Sequence, residues 1–385
     1  MIYFILILLN FIGYANQAEP QISFAKNQQS IEYYVEQAEL WWKEVEKDNK
    51  SEINWYNYFR ASRNANGTYD WRSDFLELSP YLKEGAEIVK LIKEAIPNTF
   101  TYYYCSFLTN GIGVENYQNL LKAYEMNPNF VGIHSSMISY AESSMNYDLR
   151  KKVNREWYQT NYFSTDLLNY SYNVLNSMDK NSILFVQNDN DTYPLWLLQD
   201  ALEIRPDVLI INIDFMLLDD YRKNIFEKLK IKNIDLGEID IDEYRGNWKK
   251  ALQYIINNYQ GNKNIHLGLT LYNELYNDLN DKLYISGLTL KYSKEKIDTL
   301  KLNLNFYENI FNLDYLKNDF YFSKNENNIN VQNLNYVNMF SELYPYYLNN
   351  KEIEKANELK ELSVKIASKL NNEKVNDEVK NLFKN

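Results

Sequence analysis

Apolar positions in the first half of the chain recur at helical spacing. Between Ile31 and Val45, apolar residues are separated by four, three, four and three positions, which places them on one stripe of a helix. The polar run 47–51 interrupts this pattern, and a second helix is predicted from Trp55 onwards. The spacing therefore predicts two antiparallel helices joined by a short turn.

A second pair of helices is predicted around a proline. Residues 117–125 and 130–144 both show helical spacing, and Pro128 between them cannot donate a hydrogen bond to a preceding turn. Ala123 and Pro128 resemble the small-residue and terminal-proline positions of tetratricopeptide repeats. We interpret residues 16–178 as a domain of TPR-like helical hairpins, with an ordinary helical bundle as the alternative.

Beyond residue 180, short apolar runs alternate with helices. The runs 182–187 and 208–214 flank a helix that begins at Pro194, and this order predicts a βαβ unit with parallel strands. Residues 179–294 are therefore expected to form a Rossmann-like α/β domain with an open, mostly parallel sheet and no dinucleotide motif. Further strands are predicted at 231–236, 264–270 and 282–288, with helices around 217–229 and 243–259.

The last part of the chain returns to helical spacing. Residues 351–370 carry a single apolar face, while the Asn-rich segment 323–335 is predicted to be a loop. Residues 295–385 are therefore assigned to a C-terminal helical region, and the fold class is α/β plus all-α.

The first residues are typical of an export signal. Residues 2–14 are almost wholly apolar, and Gly13 and Ala15 have the spacing that a signal peptidase prefers. The apolar run is shorter than the roughly 20 residues that span a bilayer, and a buried first helix is the alternative. We predict a signal peptide over residues 1–15, delivery to the periplasm or the outside, and no stable membrane span after cleavage.

Composition excludes several classes of function. The 41 basic and 52 acidic side chains give a net charge of −11, which argues against a nucleic-acid partner. Cys105 is the only cysteine, so neither an intrachain disulfide nor a cysteine zinc site is expected. His134 and His266 lie in no recognisable catalytic motif and are predicted to be packed residues. No catalytic residue is assigned.

Polar side chains concentrate at residues 188–192, where the first predicted strand ends. Ligands of open parallel sheets bind outside the carboxyl ends of the strands, and the end of the second strand should approach the same opening. The segment contains no glycine, which excludes a phosphate-cradling loop. The candidate ligand-binding residues are Asn188, Asp189, Asp191, Thr192, Tyr193, Trp196, Asn212 and Asp214.

Three interpretations of this segment remain open. Asp189 and Asp191 have the spacing of a DxD motif, whose hard oxygens suit magnesium, manganese or calcium beside a sugar nucleotide. Alternatively, Asn188 and Asp189 bind sugar hydroxyls, with Tyr193 or Trp196 as a stacking surface. In the third interpretation the segment is structural: Asp191 and Thr192 cap the next helix, and Asp189 closes an Asx-turn.

A family resemblance rests on the run from Ile183 to Val208, ILFVQNDNDTYPLWLLQDALEIRPDV, and on the apolar residues that follow it. This run resembles the soluble region that follows the membrane helices in a family of uncharacterised multi-spanning proteins common in Bacteroidetes. The family includes proteins described as O-mannosyltransferases, and it has a glycine where this chain has Asn188. Because this sequence offers no segments for those membrane helices, the resemblance implies a soluble, exported relative and no particular reaction.

These observations favour one function and leave an alternative. The favoured function is an exported, non-enzymatic interaction module that binds a protein or glycan partner in the cell envelope and needs no cofactor. The alternative is a metal-assisted glycan-processing enzyme, or a glycosyltransferase-associated factor, that uses Asp189 and Asp191 with a divalent cation.

Overall fold

The computed structural model describes residues 17–24, 26, 29–111, 114–237, 244–318 and 326–384. The predicted signal peptide lies outside these residues. The chain divides into two compact units, Met1–Tyr140 and Ala141–Asn385.

Paired helices build the first unit. Ser30 and Ser51 precede the first two helices, and each side chain accepts a backbone N–H of the first turn, which satisfies a donor that has no partner within the helix. The first helix packs against the second, as the helical spacing predicted, whereas the fourth packs against the fifth, a pairing that the sequence did not predict. The helices are α1 (Ile31–Lys47), α2 (Glu52–Thr68), α3 (Gly85–Ala95), α4 (Phe100–Asn110), α5 (Val114–Met126) and α6 (Ile133–Ser143).

A five-stranded sheet with surrounding helices builds the second unit. The strand order is β2-β1-β3-β5-β4, so β2 and β4 are the edge strands. The strands are β1 (Ile183–Val186), β2 (Leu209–Asn212), β3 (Ile265–Gly268), β4 (Leu283–Ser286) and β5 (Thr289–Tyr292). The helices are α7 (Tyr147–Gln159), α8 (Thr165–Asn176), α9 (Tyr193–Leu202), α10 (Asp219–Leu229), α11 (Tyr244–Asn258), α12 (Thr299–Asn305), α13 (Asp314–Lys317), α14 (Glu326–Asn333), α15 (Asn335–Asn349), α16 (Ile353–Ser368) and α17 (Glu373–Leu382).

The sheet confirms the predicted βαβ unit but is mixed rather than mostly parallel. Strand β1 pairs in parallel with β2 and with β3, whereas β5 pairs antiparallel with β3 and with β4. The run 282–288, predicted as one strand, instead enters a tight hairpin in which Ser286 pairs with Thr289. Gly287 adopts a φ of +59° in this turn, a conformation that glycine tolerates without strain.

Two further predictions on the second unit are wrong. Residues 231–236 form no strand, and within the segment predicted as an Asn-rich loop, α14 occupies Glu326–Asn333. The sequence also placed α7 and α8 in the N-terminal domain that ends at residue 178. Both helices instead pack against α9, so they belong with the sheet.

An ion network buried in the second unit joins α7 to α9. Arg150 donates to Asp200 from Nε at 2.8 Å and from Nη2 at 3.1 Å, and from Nη1 to Glu142 at 2.5 Å. Asn154 donates a further hydrogen bond to Asp200 at 2.7 Å. One guanidinium thus serves two carboxylates that are almost completely withdrawn from water.

The residues that the sequence assigned to packing are buried. Cys105, His134 and His266 each expose 2% of their surface or less. Within the described part of the chain, no helix combines the length and apolar character needed to cross a membrane.

Candidate functional site

The candidate site lies where β1 and β2 end side by side. The backbone N–H of Ile213 donates to Val186 at 2.9 Å, so the parallel ladder continues to the last residue of β1. Gln187 Nε2 then donates to Asp214 Oδ1 at 2.9 Å, and the Asn188 N–H donates to Asp214 Oδ2 at 3.1 Å. The structure therefore brings the 188–192 segment to the end of β2, as the parallel pairing predicted.

Thr192 and Asn212 join the two strand ends from inside the protein. Asn212 Nδ2 donates to Thr192 Oγ1 at 2.9 Å, and the same hydroxyl donates to the Asn188 carbonyl at 2.7 Å. Asn212 Oδ1 accepts from the Asp214 N–H at 2.7 Å. Both side chains are buried and use their polar atoms within the loop. They position the site rather than face a ligand.

Asn188 lies at a position with a left-handed backbone conformation. Its φ of +64° is left-handed, and glycine and asparagine are the residues that adopt this region most readily.

This conformation gives a testable expectation. Asn188→Gly should leave the free energy of unfolding nearly unchanged, whereas Asn188→Val should lower it by about 1–2 kcal/mol, because a β-branched residue is strained at this φ. Urea denaturation of both variants measures the difference. Equal stability of the two variants would show that the left-handed conformation is not required here.

Asp191 does not face an open pocket. Gln332 Nε2 of α14 donates to Asp191 Oδ1 at 2.5 Å. Together with Asn190, Thr270 and Tyr170, Asp191 lines a cavity of about 10 Å³, which offers space for about one water molecule. A sugar ring does not fit in this cavity.

Three carboxylates share this end of the sheet, and each has a raised pKa. Burial, followed by the charges of Asp189 and Asp214, raises the pKa of Asp191 to about 7 against the lowering effect of hydrogen bonds from Thr270 and Gln332. Burial also raises the pKa of Asp214. Crowding by protein atoms and the charge of Asp214 raise the pKa of Asp189, although this residue stays largely exposed and solvent limits the shift.

Helix α9 is not capped as the structural interpretation predicted. No side chain caps its N-terminus; instead the Asp189 carbonyl accepts the N–H groups of Thr192 at 3.2 Å and Tyr193 at 3.0 Å. The side chains of Asp191 and Thr192 bind Gln332, Asn188 and Asn212 as described above. These side chains make tertiary contacts rather than capping α9.

The two aromatic candidates are not exposed stacking surfaces. Trp196 is fully buried, with its ring stacked on Phe215 at 6.1 Å and the Arg150 guanidinium over it at 5.4 Å. Tyr193 is buried against Trp157, with ring centroids 5.7 Å apart. The expectation that either ring offers a face to a sugar is therefore corrected: both belong to the core.

Sequence reasoning missed two partners of the loop. Gln187 directly follows β1 and donates a hydrogen bond to Asp214, and its place directly before the polar run was a usable signal. Gln332 lies 141 residues from Asp191 in a segment predicted to be a loop, and no local pattern connects the two.

Comparison with known families covers this part of the chain. Residues 167–251, which include β1, α9, β2 and the acidic loop formed by residues 188–192, match the model of a family described as TMEM260-associated domain 2. No curated protein and no solved structure gives a significant match.

Proposed function

We propose that the protein is a binding module and that its N-terminal helical unit holds an apolar segment of a partner protein. A groove of about 530 Å³ lies within this unit, between residues 20–22, the first turn of α2, the start of α4 and the connection from α5 to α6. Its volume falls in the range of sites that bind ligands in proteins.

The observation that carries this proposal is the character of the groove's rim. Ile22, Ile53, Met126 and Val131 all line the groove and expose between 39% and 68% of their surface. A single exposed apolar side chain is ordinary, but four that converge on one groove form a patch typical of a protein interaction site.

Aromatic rings form the floor of the groove. Phe130 packs edge-on against Tyr56, with ring centroids 4.8 Å apart, and at a tilt against Phe100, with centroids 4.5 Å apart, so the three rings form one cluster. Such packed aromatic rings offer apolar contact area that costs little conformational entropy when a partner binds.

Polar groups at the groove already have partners within the protein. The Gln21 N–H donates to Asn57 Oδ1 at 2.6 Å, and Glu52 Oε2 accepts the Thr101 N–H at 3.0 Å. Because sugar recognition depends on polar groups placed for hydroxyls, the groove fits an apolar peptide better than a glycan. The net charge of −11 further favours a partner with basic flanks.

The apolar start of the sequence supports a location in the cell envelope for this binding. The resemblance to multi-spanning proteins that include O-mannosyltransferases supports a membrane-bound glycosylation protein as the partner. In this proposal the TPR-like hairpins supply the groove and the α/β unit completes the scaffold.

Peptide selection tests the groove. We expect apolar peptides selected from a displayed library against the full chain to bind Ile53→Glu at least about tenfold more weakly than the parent protein, because a charge would then lie in the apolar rim. Ile353→Glu is the matched control, since Ile353 is exposed to 50% on α16. Equal affinity for both variants would contradict the proposal.

Cation binding at the acidic loop is the second candidate function. One observation favours it: Gln187 Oε1 and Gln332 Oε1 are buried without a hydrogen-bond partner, near carboxylates that repel one another. Oxygen atoms of this kind are ligands for magnesium, manganese and calcium. Among the described residues, no group of three or more His, Cys, Asp or Glu side chains is arranged to hold a metal ion.

Thermal unfolding during titration with each of the three cations tests this candidate. A rise in Tm that disappears in the Asp189→Asn, Asp191→Asn double variant would support it, because a ligand stabilises the state that binds it. An unchanged Tm, or an equal rise in the double variant, would remove it.

A further inference from the structure

A second cavity lies in the α/β unit at the opposite end of the parallel strands from the acidic loop. It has a volume of about 380 Å³ and is bounded by α7, α9, α10, the start of β2 and the segment before β3. The acidic loop follows the ends of β1 and β2, whereas Asp207, Val208 and Lys263 of this cavity precede β2 and β3. The two sites are therefore distinct, and this one has a volume suited to a small molecule.

Three lysines of this cavity have no carboxylate partner among the described residues. Lys228 Nζ contacts the Tyr147 hydroxyl at 3.3 Å and lies 4.7 Å from the centre of the same ring. Lys263 donates to the side-chain carbonyl of Asn181, and Lys151 is exposed. None of the three forms an ion pair within the part of the chain that the structure describes.

The acidic residues of the cavity are already neutralised. Glu142 and Asp200 both bind Arg150, and Asp207 pairs with Arg205 at 2.9 Å. The positive charges of Arg150 and of Lys228, which acts on Glu142, balance the negative charges of the two carboxylates that Arg150 binds. Lys151 and Lys263 therefore leave the cavity with an excess of positive charge in a protein whose net charge is −11.

The lysines also act on one another. Burial, together with the charges of Arg150 and Lys263, lowers the pKa of Lys228, while Glu142 opposes this effect. Lys228 stays partly exposed, so solvent limits the shift. A bound anion would relieve this repulsion, and its binding would therefore be favoured.

Neutral groups complete the cavity. The N–H groups of Leu209 and Ile213 donate to the strand segment of β1. Because peptide groups alternate in direction along a strand, the N–H and C=O of Ile210 point to the free edge of β2. Ile210 lines the cavity at this edge. Tyr147 and Tyr259 add hydroxyl groups and ring faces. These groups suit a small organic body that carries hydroxyls and has an apolar face.

We propose that this cavity binds a phosphomonoester of a small polyhydroxylated molecule, with the phosphate held by Lys228 and Lys263 and the organic body against Tyr147, Tyr259 and the edge of β2. A phosphate dianion matches the excess of positive charge, and lysine binds phosphate as a compact point charge. The assignment is independent of the groove in the helical unit.

Calorimetric titration of the full chain with glucose 6-phosphate, inorganic phosphate and glucose tests the assignment. We expect glucose 6-phosphate to bind more tightly than inorganic phosphate, and glucose not to bind. The double variant Lys228→Gln, Lys263→Gln should bind glucose 6-phosphate about tenfold or more weakly than the parent protein. Lys223→Gln, Lys360→Gln removes the same charge from exposed positions and should leave the affinity unchanged.

Several results would overturn the assignment. These are absence of ester binding at concentrations up to about 10 mM, binding of glucose equal to that of the ester, and inorganic phosphate binding as tightly as the ester. An equal loss of affinity in both lysine double variants would also overturn it, because only general charge would then be involved. Thermal unfolding of each variant verifies that it is folded before the titration.

Discussion

Arg150→Met should lower the free energy of unfolding by about 3–5 kcal/mol. Arg150 is the common partner of Glu142 and Asp200, which expose 1% and 2% of their side chains. Methionine fills a similar volume but leaves both carboxylates without their cation in the interior, and a buried unpaired charge is costly. Urea denaturation followed by circular dichroism at pH 8 measures the loss.

The sign of the pH dependence supplies a further check on this variant. Burial already raises the pKa of Glu142 above its usual value, and loss of Arg150 should raise it further. A carboxyl whose folded-state pKa is raised destabilises the protein as pH rises through that pKa. The defect should therefore be smaller at pH 5 than at pH 8.

Arg155→Met is the matched control, because Arg155 is an exposed residue of the same helix. It should change the free energy of unfolding by no more than about 0.5 kcal/mol. If both variants lost the same stability, the buried network would not hold α7 to α9.

Asp191→Asn should stabilise the protein above neutral pH. The folded-state pKa of Asp191 is about 7, against an ordinary value of 3.8. Below pH 3.8 both states carry the proton. Between pH 3.8 and about pH 7, Asp191 is ionised in the unfolded state but still protonated in the folded state. The free energy of unfolding of the parent protein therefore falls as pH rises through this range and is constant above it.

Asparagine at position 191 keeps a side-chain oxygen that accepts the hydrogen bond from Gln332, but it carries no charge. The expected gain is close to zero at pH 4 and about 1–3 kcal/mol at pH 8, discounted for partial solvent contact. Thermal unfolding across this pH range, with a chelator present, measures it.

A second aspartate provides an internal contrast. Arg205, aided by the backbone, lowers the pKa of Asp207 to about 2. Its ionised form therefore stabilises the folded state at neutral pH, so Asp207→Asn should lower stability at pH 7. A gain that is equal at pH 4 and pH 8 for Asp191→Asn would contradict the electrostatic account of the loop.

Local patterns were sufficient to predict the βαβ unit that contains the acidic loop. The apolar runs of β1 and β2 and the proline near the start of α9 are all encoded within one short stretch, and a short crossover favours parallel pairing. The burial of α9 also had a local signal: the helix is apolar on nearly every face, which is typical of a helix surrounded by protein. This signal contradicts an exposed role for Trp196.

Other features depend on contacts that no local pattern contains. The sequence prediction places one strand over residues 282–288, whereas the Ser-Gly pair of the hairpin at Ser286–Thr289 is a local turn signal. The contact between Gln332 and Asp191, by contrast, exists only after distant segments pack. The predicted strand at 231–236 has β-branched residues but pairs with no strand among the described residues, and backbone pairing is what makes such a segment a strand.

Site-specific photocrosslinking tests the central claim, that partner binding uses the groove of the helical unit and not the acidic loop. A photoreactive amino acid is placed at position 53 or at position 189 of the full chain in cells that produce it. We expect a discrete adduct from position 53 that is lost when Met126→Lys is added, and none from position 189. An adduct from position 189 with none from position 53 would contradict the account.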